Sequence, residues 1–442
     1  MKKVLIIGAG RSSTCLIGYM EEKAEIYDWR ITVADRDGGM LRDKVSERSR
    51  VIILDIFDED QLKMEIEEAD LVISLLPARF HPIVARACVE LSKSMVTASY
   101  ESSEIRALEK EAKERRLLFL NEMGVDPGLD HMSAMRVINQ IREQGHEMVE
   151  FESFTGGLIA PESDDNPWHY KFTWNPRNVV IAGQGGPAKF LQEGKYKYIP
   201  YNRLFRRTEM IEIEGYGRFE GYANRDSLSY LEKYGLEGVK TIYRGTLRRP
   251  GFCRAWNVFV QLGATDDTYL MPGVENMTHR DFINSFLYYN EHDSVELKLF
   301  HYLHIDQDSD VIEKLKWLGI FDKTKIGLKE ATPAQVLEHI LKKKWQLSTD
   351  DKDMIAMWHK FIYKDRDTGE IKEKTSSLIV LGDDKVNTAM AKTVGLPLAI
   401  AAKMILTEEI KLSGVYIPTS REIYEPVLKE LEDYGILFLE SE

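Results

Sequence analysis

Short, continuous apolar runs alternate with amphipathic stretches through the first third of the chain. Val4-Leu5-Ile6-Ile7, Ile31-Thr32-Val33-Ala34, Val51-Ile52-Ile53-Leu54, Asp70 to Leu76, Met95-Val96-Thr97-Ala98 and Leu117-Leu118-Phe119-Leu120 are such runs. Parallel strands covered on both faces require this pattern. Between them, Asp58 to Ala69, Pro82 to Leu91 and Ser103 to Arg116 carry apolar residues at helical spacing. The alternation predicts an α/β fold opening with a doubly wound parallel sheet of the Rossmann kind to about residue 127. Ligand contacts then belong to the loops at the carboxyl ends of the strands.

After Asp130 the pattern becomes α+β. Glu150 to Thr155, Val179 to Ile181, Met210 to Ile213, Lys240 to Leu247 and Ala255 to Gln261 read as strands, with aromatic-rich connections such as Trp168 to Trp174. Residues 278–353 are charged and helical in period, as in Val311 to Leu318 and Pro333 to Leu341, and read as a helical insertion. Met354 to Tyr363 and Glu370 to Leu381, joined by Asp365-Arg366-Asp367-Thr368-Gly369, read as a hairpin that rejoins the sheet of the second domain. Asn387 to Leu406 is a helix rich in small residues, able to pack closely and to return to the nucleotide domain. The expected domains are therefore 1–127 with the bridging helix 387–406 and the C-terminus packing back, 128–277 with 354–386 as an α+β substrate domain, and the insertion 278–353.

The first apolar run passes directly into Gly8-Ala9-Gly10 and a helical stretch beginning at Arg11. In this setting Gly8 supplies a tight turn and Gly10 lets the backbone approach a pyrophosphate, whose charge meets N–H groups of Arg11, Ser12 and Ser13 at a helix start. Ser13 stands where a third glycine is usual. Asp35 ends the second run about 25 residues after Gly10, the spacing at which an acid accepts from a ribose 2′-hydroxyl. A 2′-phosphate about 4 Å from that carboxylate would meet a repulsion of order 4 kcal/mol at an effective dielectric near 20. NAD is therefore expected over NADP, although Arg36 could hold a phosphate and keeps NADP open. Asp55, Leu75-Leu76-Pro77 and Ala98-Ser99, which follow later strands, complete the expected cofactor contacts.

The net charge of −13 leaves no basic patch for nucleic acid. Cys15, Cys88 and Cys253 are scattered and read as reduced thiols, and no histidine pair has metal-ligand spacing. No secretory leader is expected from Lys2-Lys3 and the short apolar strand after it, and no apolar run reads as long enough to span a bilayer, the longest, Val394 to Leu406, being interrupted by Lys403. A cytoplasmic enzyme without membrane or metal is the expectation.

Several longer motifs narrow the reading. Ile73 to Pro77 with His81-Pro82, Val96 to Tyr100, Asn121 to His131, Gly156-Gly157-Leu158 with Ala160-Pro161-Glu162-Ser163, Asn224-Arg225-Asp226-Ser227, Arg244-Gly245-Thr246-Leu247-Arg248 and Ala389 to Pro397 occur in one order over nearly the whole chain. Together they resemble saccharopine dehydrogenase of the glutamate-forming kind. The resemblance implies NAD- or NADP-linked interconversion of saccharopine with glutamate and 2-aminoadipate 6-semialdehyde in lysine metabolism, and a homodimer. Thr155 stands where that family commonly has a cysteine, which weakens any role for a thiol.

Saccharopine is a secondary amine with three carboxylates, so its pocket needs fixed cations. Arg225 and Arg244 are the leading candidates and Arg248 a third, because guanidinium holds carboxylate by two parallel bonds. Asn224, Ser99, Phe172 and Trp174 complete the expected substrate contacts. Asp126, just past the last Rossmann strand, is the first choice for the group that takes the amine proton, with Tyr100 and Glu122 as alternatives. Capping of the helix near Leu129 is an equal explanation of Asp126. His81 and His131 read as structural. Two other readings stay open: a related imine reductase such as carboxynorspermidine synthase, and a non-catalytic nucleotide-binding relative.

Overall fold

The computed structural model describes residues 1–441 apart from Asp43 and Gln307, and the side chain of Met40 is likewise outside the description. The chain forms two compact units, 1–148 with 363–372 and 378–442, and 149–362 with 373–377. The helix Leu129–Glu143 lies in the first.

The first unit is built on strands β1 (Lys3–Ile7), β2 (Arg30–Asp35), β3 (Arg50–Ile53), β4 (Leu71–Ser74), β5 (Ser94–Thr97) and β6 (Leu118–Leu120). They pair in parallel in the order β6-β5-β4-β1-β2-β3, with Gly414–Tyr416 added beside β6. The doubly wound sheet expected from the apolar runs is thus present, and the strand order reverses between β1 and β4. Leu5, Ile7, Val72 and Phe119 are buried in its core, which explains why these strands read as unbroken apolar runs. Ser103 to Arg116 is two short helices, Ser103–Arg106 and Glu109–Glu114, rather than one.

The helix Ala389–Leu406 packs on Thr14–Tyr27 through its small residues. A Cβ on Gly395 would lie 2.9 Å from the Leu16 nitrogen, so glycine is what permits this approach. By length and composition this helix could cross a membrane, which corrects the expectation that no apolar run reaches that length; 78% of it is buried inside the protein.

The second unit holds a mixed sheet. Its strands are β7 (Glu147–Ile159), β8 (Ala188–Gln192), β9 (Lys195–Ile199), β10 (Thr208–Ile213), β11 (Gly217–Ala223), β12 (Thr241–Arg248), β13 (Asp353–Lys364) and β14 (Ile371–Leu381). The main order is β10-β11-β12-β7-β13-β14, with β8 and β9 attached beside β12. Two expected strands are helices: Val179 to Ile181 falls on Pro176–Val180, and Ala255 to Gln261 on Phe252–Leu262. In the first, Asn175 caps the helix by accepting from the Arg177 N–H and Pro176 opens it, a start signal that outweighs three β-branched residues. In the second, Phe252, Cys253, Ala255, Trp256, Phe259 and Val260 form a wide buried stripe at helical spacing, which a short window read as a strand.

Candidate active site

In the first unit, Gly8 adopts φ +109°, and a Cβ there would lie 3.0 Å from the Leu75 carbonyl group. The β1 and β4 loops approach so closely that only glycine serves at this position. Gly10 faces open space, with no heavy atom within 4 Å of the position its Cβ would take, and the helix begins directly after it. An NAD(P) pyrophosphate fits that clearing, where the first N–H groups of the helix lack intrahelical acceptors. Ser13 is buried and its hydroxyl donates to the Gly10 carbonyl at 2.8 Å, so it closes the loop that a third glycine would otherwise tighten. Asp35 holds the loop from the other side. Its carboxylate accepts from the Ala9 N–H at 2.7 Å and from the Asp37 N–H at 2.9 Å. Arg11 and Arg36 are exposed beside this site, Ser12 is half-buried, and Asp55 is exposed with its carboxylate accepting from the Phe57 N–H.

Sequence reasoning missed Lys44. Its ammonium donates to the Gly10 carbonyl, and burial lowers its pKa while Asp35 opposes that shift. Nothing in the spacing of Lys44 marks it, because it reaches the loop from beyond the short helix Gly38–Arg42.

The crest of β4 and β5 carries a buried relay. Ser74 Oγ lies 2.8 Å from His81 Nδ1, and His81 Nε2 lies 2.7 Å from Ser99 Oγ. Burial pushes the His81 pKa down to about 4, so the ring is neutral near pH 7, one nitrogen donating and the other accepting. The structural reading of His81 acquires a direct neighbour in Ser99. Leu75, Leu76, Ala98, Ser99 and Tyr100 are all half-buried at these strand ends, and Pro77 is exposed.

The loop after β6 supplies the acids. Tyr100 Oη donates to Asp126 Oδ1 at 3.2 Å. Glu122 Oε2 lies 2.7 Å from His131 Nε2, and Glu122 Oε1 accepts from the Glu101 N–H at 3.1 Å. The Asp126-Pro127 peptide is cis. Gly128 is the N-cap of the helix Leu129–Glu143, and Asp130 accepts from its N–H at 2.6 Å. The helix has no side-chain cap: its first N–H groups, those of Leu129 and Asp130, donate to the Gly124 and Val125 carbonyls at 2.9 and 3.1 Å, while Asp126, half-buried, accepts from the Tyr100 phenol.

In the second unit, register places the polar groups on one face. β12 aligns Arg244 with Ser153 and Thr246 with Thr155 on β7, and aligns Thr246 with Tyr222 and Arg248 with Glu220 on β11. Directly opposed residues share a face, as do residues two apart. On the opposite face, Cβ atoms on Gly221 and Gly245 would run into the Phe154 ring. Arg244 is 4% exposed, with its guanidinium 4.3 Å from the Tyr230 ring centroid. Its backbone N–H donates to Ser227 Oγ, and its carbonyl accepts from the Asn224 N–H, each at 2.9 Å. The Asn224 to Ser227 turn is thereby tied to β12. Arg225 sits in that turn at φ +39° and is exposed, while Asp226 pairs with Lys189 at 3.2 Å. Trp174 is half-buried, but Phe172 is 1% exposed and packs on Tyr170 and Trp345.

Two family models cover most of the chain: saccharopine dehydrogenase NADP binding domain over residues 4–120, and saccharopine dehydrogenase C-terminal domain over residues 124–436. The chain is 36% identical over 99% of its length to alpha-aminoadipic semialdehyde synthase, mitochondrial, of Rattus norvegicus, of which it covers 47%. It thus spans about half the length of the animal relatives it matches. It is 32% identical to saccharopine dehydrogenase [NADP(+), L-glutamate-forming] of Saccharomyces cerevisiae, covering 100% of this chain and 99% of that one. The solved apo structure of the L-Glu-forming saccharopine dehydrogenase from the same yeast superposes with a TM-score of 0.88 at 31% identity, over 100% of this chain and 99% of that chain. With the Rossmann sheet, the Asp126-bearing loop and the arginine-lined strand in place, the chain belongs to the saccharopine dehydrogenase family.

Proposed function

We propose that this chain interconverts saccharopine with L-glutamate and 2-aminoadipate 6-semialdehyde, using a nicotinamide dinucleotide. The observation that carries the reading is the Asp126 carboxylate bonded to the Tyr100 phenol at the end of the last Rossmann strand. When bound, the nicotinamide would accept a hydride from the carbon beside the amine nitrogen. Gly8, Gly10 and the helix start after them would hold its pyrophosphate, with Asp35 at the ribose. Asp126 takes the proton from the substrate nitrogen, and the Tyr100 hydroxyl steadies the carboxylate charge through its hydrogen bond. Water then adds to the resulting substrate imine, and the same carboxylate returns a proton to the departing glutamate nitrogen. Arg225 and Arg244 hold substrate carboxylates, a task suited to guanidinium.

The fungal relatives bear NADP(+) in their names, and the matched N-terminal model is that of an NADP-binding domain. This chain carries Asp35 and Asp37 at the end of β2, with the Asp35 carboxylate fixed by two backbone N–H groups. We read that pair of acids as favouring NAD, with Arg36 and Lys44 as the cations through which NADP is accommodated. NAD use would favour the oxidative direction. Parallel assays of saccharopine oxidation with NAD and NADP test both parts. Turnover with neither dinucleotide, despite binding, would move the assignment to another imine or to a non-catalytic protein.

A further inference from the structure

Arg248 is 5% exposed, yet no carboxylate among the described residues pairs with it. Its guanidinium carbon lies 5.1 Å from the Tyr170 ring centroid, 5.3 Å from that of Phe252 and 5.9 Å from that of Tyr222. Nη1 donates to the Leu247 carbonyl at 2.8 Å, and Nε has no partner among the described residues. The acid nearest in register, Glu220, is engaged elsewhere, accepting from the Gly251 N–H at 2.7 Å and the Cys253 N–H at 3.0 Å. A buried charge without a counter-ion is costly, and cation–π contacts return only part of that cost.

Neighbouring groups are unpartnered in the same sense. The Trp345 indole nitrogen is buried without a hydrogen-bond partner among the described residues, and the Tyr170 hydroxyl, on a ring 5.0 Å away, has only the Trp174 side chain beside it. Both are donors, as is Arg248 Nε. Thr155 Oγ1, on the same face of the sheet, is also buried and unpartnered. Donors left unsatisfied around an uncompensated cation fit an anion supplied by a ligand.

We propose that Arg248, with the Tyr170 hydroxyl beside it, receives a carboxylate of the substrate, a position separate from those of Arg225 and Arg244. This rests on the reading of the substrate as a tricarboxylate amine. It gives the third carboxylate its own cation and makes Arg248 a determinant of specificity.

The test compares full-length wild type with Arg248→Met and Arg248→Lys, using saccharopine and amine analogues that each lack one carboxylate. Arg248→Met removes a buried charge while filling its volume, so the ligand-free variant should unfold at or above the wild-type temperature. Its KM for saccharopine should rise on the order of 100-fold, the usual scale for truncating one partner of a buried charge pair. The KM for one analogue, the one lacking the carboxylate that Arg248 holds, should match wild type, and Arg248→Lys should recover part of the loss. An unchanged KM for saccharopine, or an equal rise for saccharopine and every analogue, would overturn the proposal. Should Arg248→Met not fold, Arg248→Lys carries the same comparison, with charge kept and the fork lost. If wild type does not oxidise saccharopine, the functional reading fails separately. The site is then judged by thermal protection with L-glutamate and L-2-aminoadipate: a rise in wild type that Arg248→Met abolishes supports it, and an equal rise or none in both overturns it.

Discussion

In the first unit, the acids of the loop after β6 each meet a donor: Asp126 meets the Tyr100 phenol, and Glu122 meets His131 and the Glu101 N–H. In the second, Arg248 is 5% exposed and, among the described residues, meets only aromatic rings and its neighbour's carbonyl. The first arrangement is complete within the protein and keeps a carboxylate poised. The second is complete only when an anion arrives. Buried charge thus has two uses here, one to shape a reacting group and one to wait for a ligand, and the partner list distinguishes them better than depth of burial.

The two regions should respond differently to substitution. The largest effect belongs to Asp126→Asn, which should lower kcat by about 100- to 10,000-fold, the range for loss of a positioned proton acceptor. Its unfolding temperature should be unchanged, because the first N–H groups of the following helix meet backbone carbonyls; a large fall in that temperature would return Asp126 to a structural role. Next, Arg244→Met should raise the KM for saccharopine about 100-fold with a smaller change in kcat, the signature of lost binding rather than lost chemistry. Equal loss in kcat alone would contradict the clamp.

A smaller change is expected from Asp35→Ser, which should move the ratio of kcat/KM for NADP over NAD upward by about 10-fold, since one carboxylate near a 2′-phosphate is removed. No shift in that ratio would mean that Arg36 and Lys44 already decide the cofactor. The last effect concerns stability against pH and not turnover. The folded His81 pKa, near 4, lies below the ordinary 6.5, so the unfolded chain binds the extra proton between these values. Stability from this group is therefore full above about pH 6.5 and falls as pH drops through 4, by about 3 kcal/mol in all. Denaturant titrations of wild type and His81→Asn across that window should show a shallower slope in the variant, and identical slopes would refute the assignment.

The Rossmann half was legible because its strands are buried on both faces and so announce themselves as short apolar runs. Gly8, Gly10 and Asp35 stand where their spacing put them. The second unit was harder to read. The stripe from Phe252 to Leu262 is nearly all apolar over a short window, so strand and helix could not be told apart by period. The burial of Phe172 against Trp345 depends on contacts from distant sequence. Lys44 and the Ser74–His81–Ser99 relay also join residues that no local pattern connects. One signal was available at Arg244, Thr246 and Arg248: residues alternating along a strand share a face, and two buried arginines on one face point to a ligand with more than one carboxylate.

The most direct test of the account is formation of reduced nicotinamide by the purified protein supplied with saccharopine, with NAD and NADP in parallel and Asp126→Asn as control. The account predicts turnover by wild type with release of L-glutamate, and its near loss in the variant. Cofactor binding without turnover in wild type, or full turnover in Asp126→Asn, would contradict it.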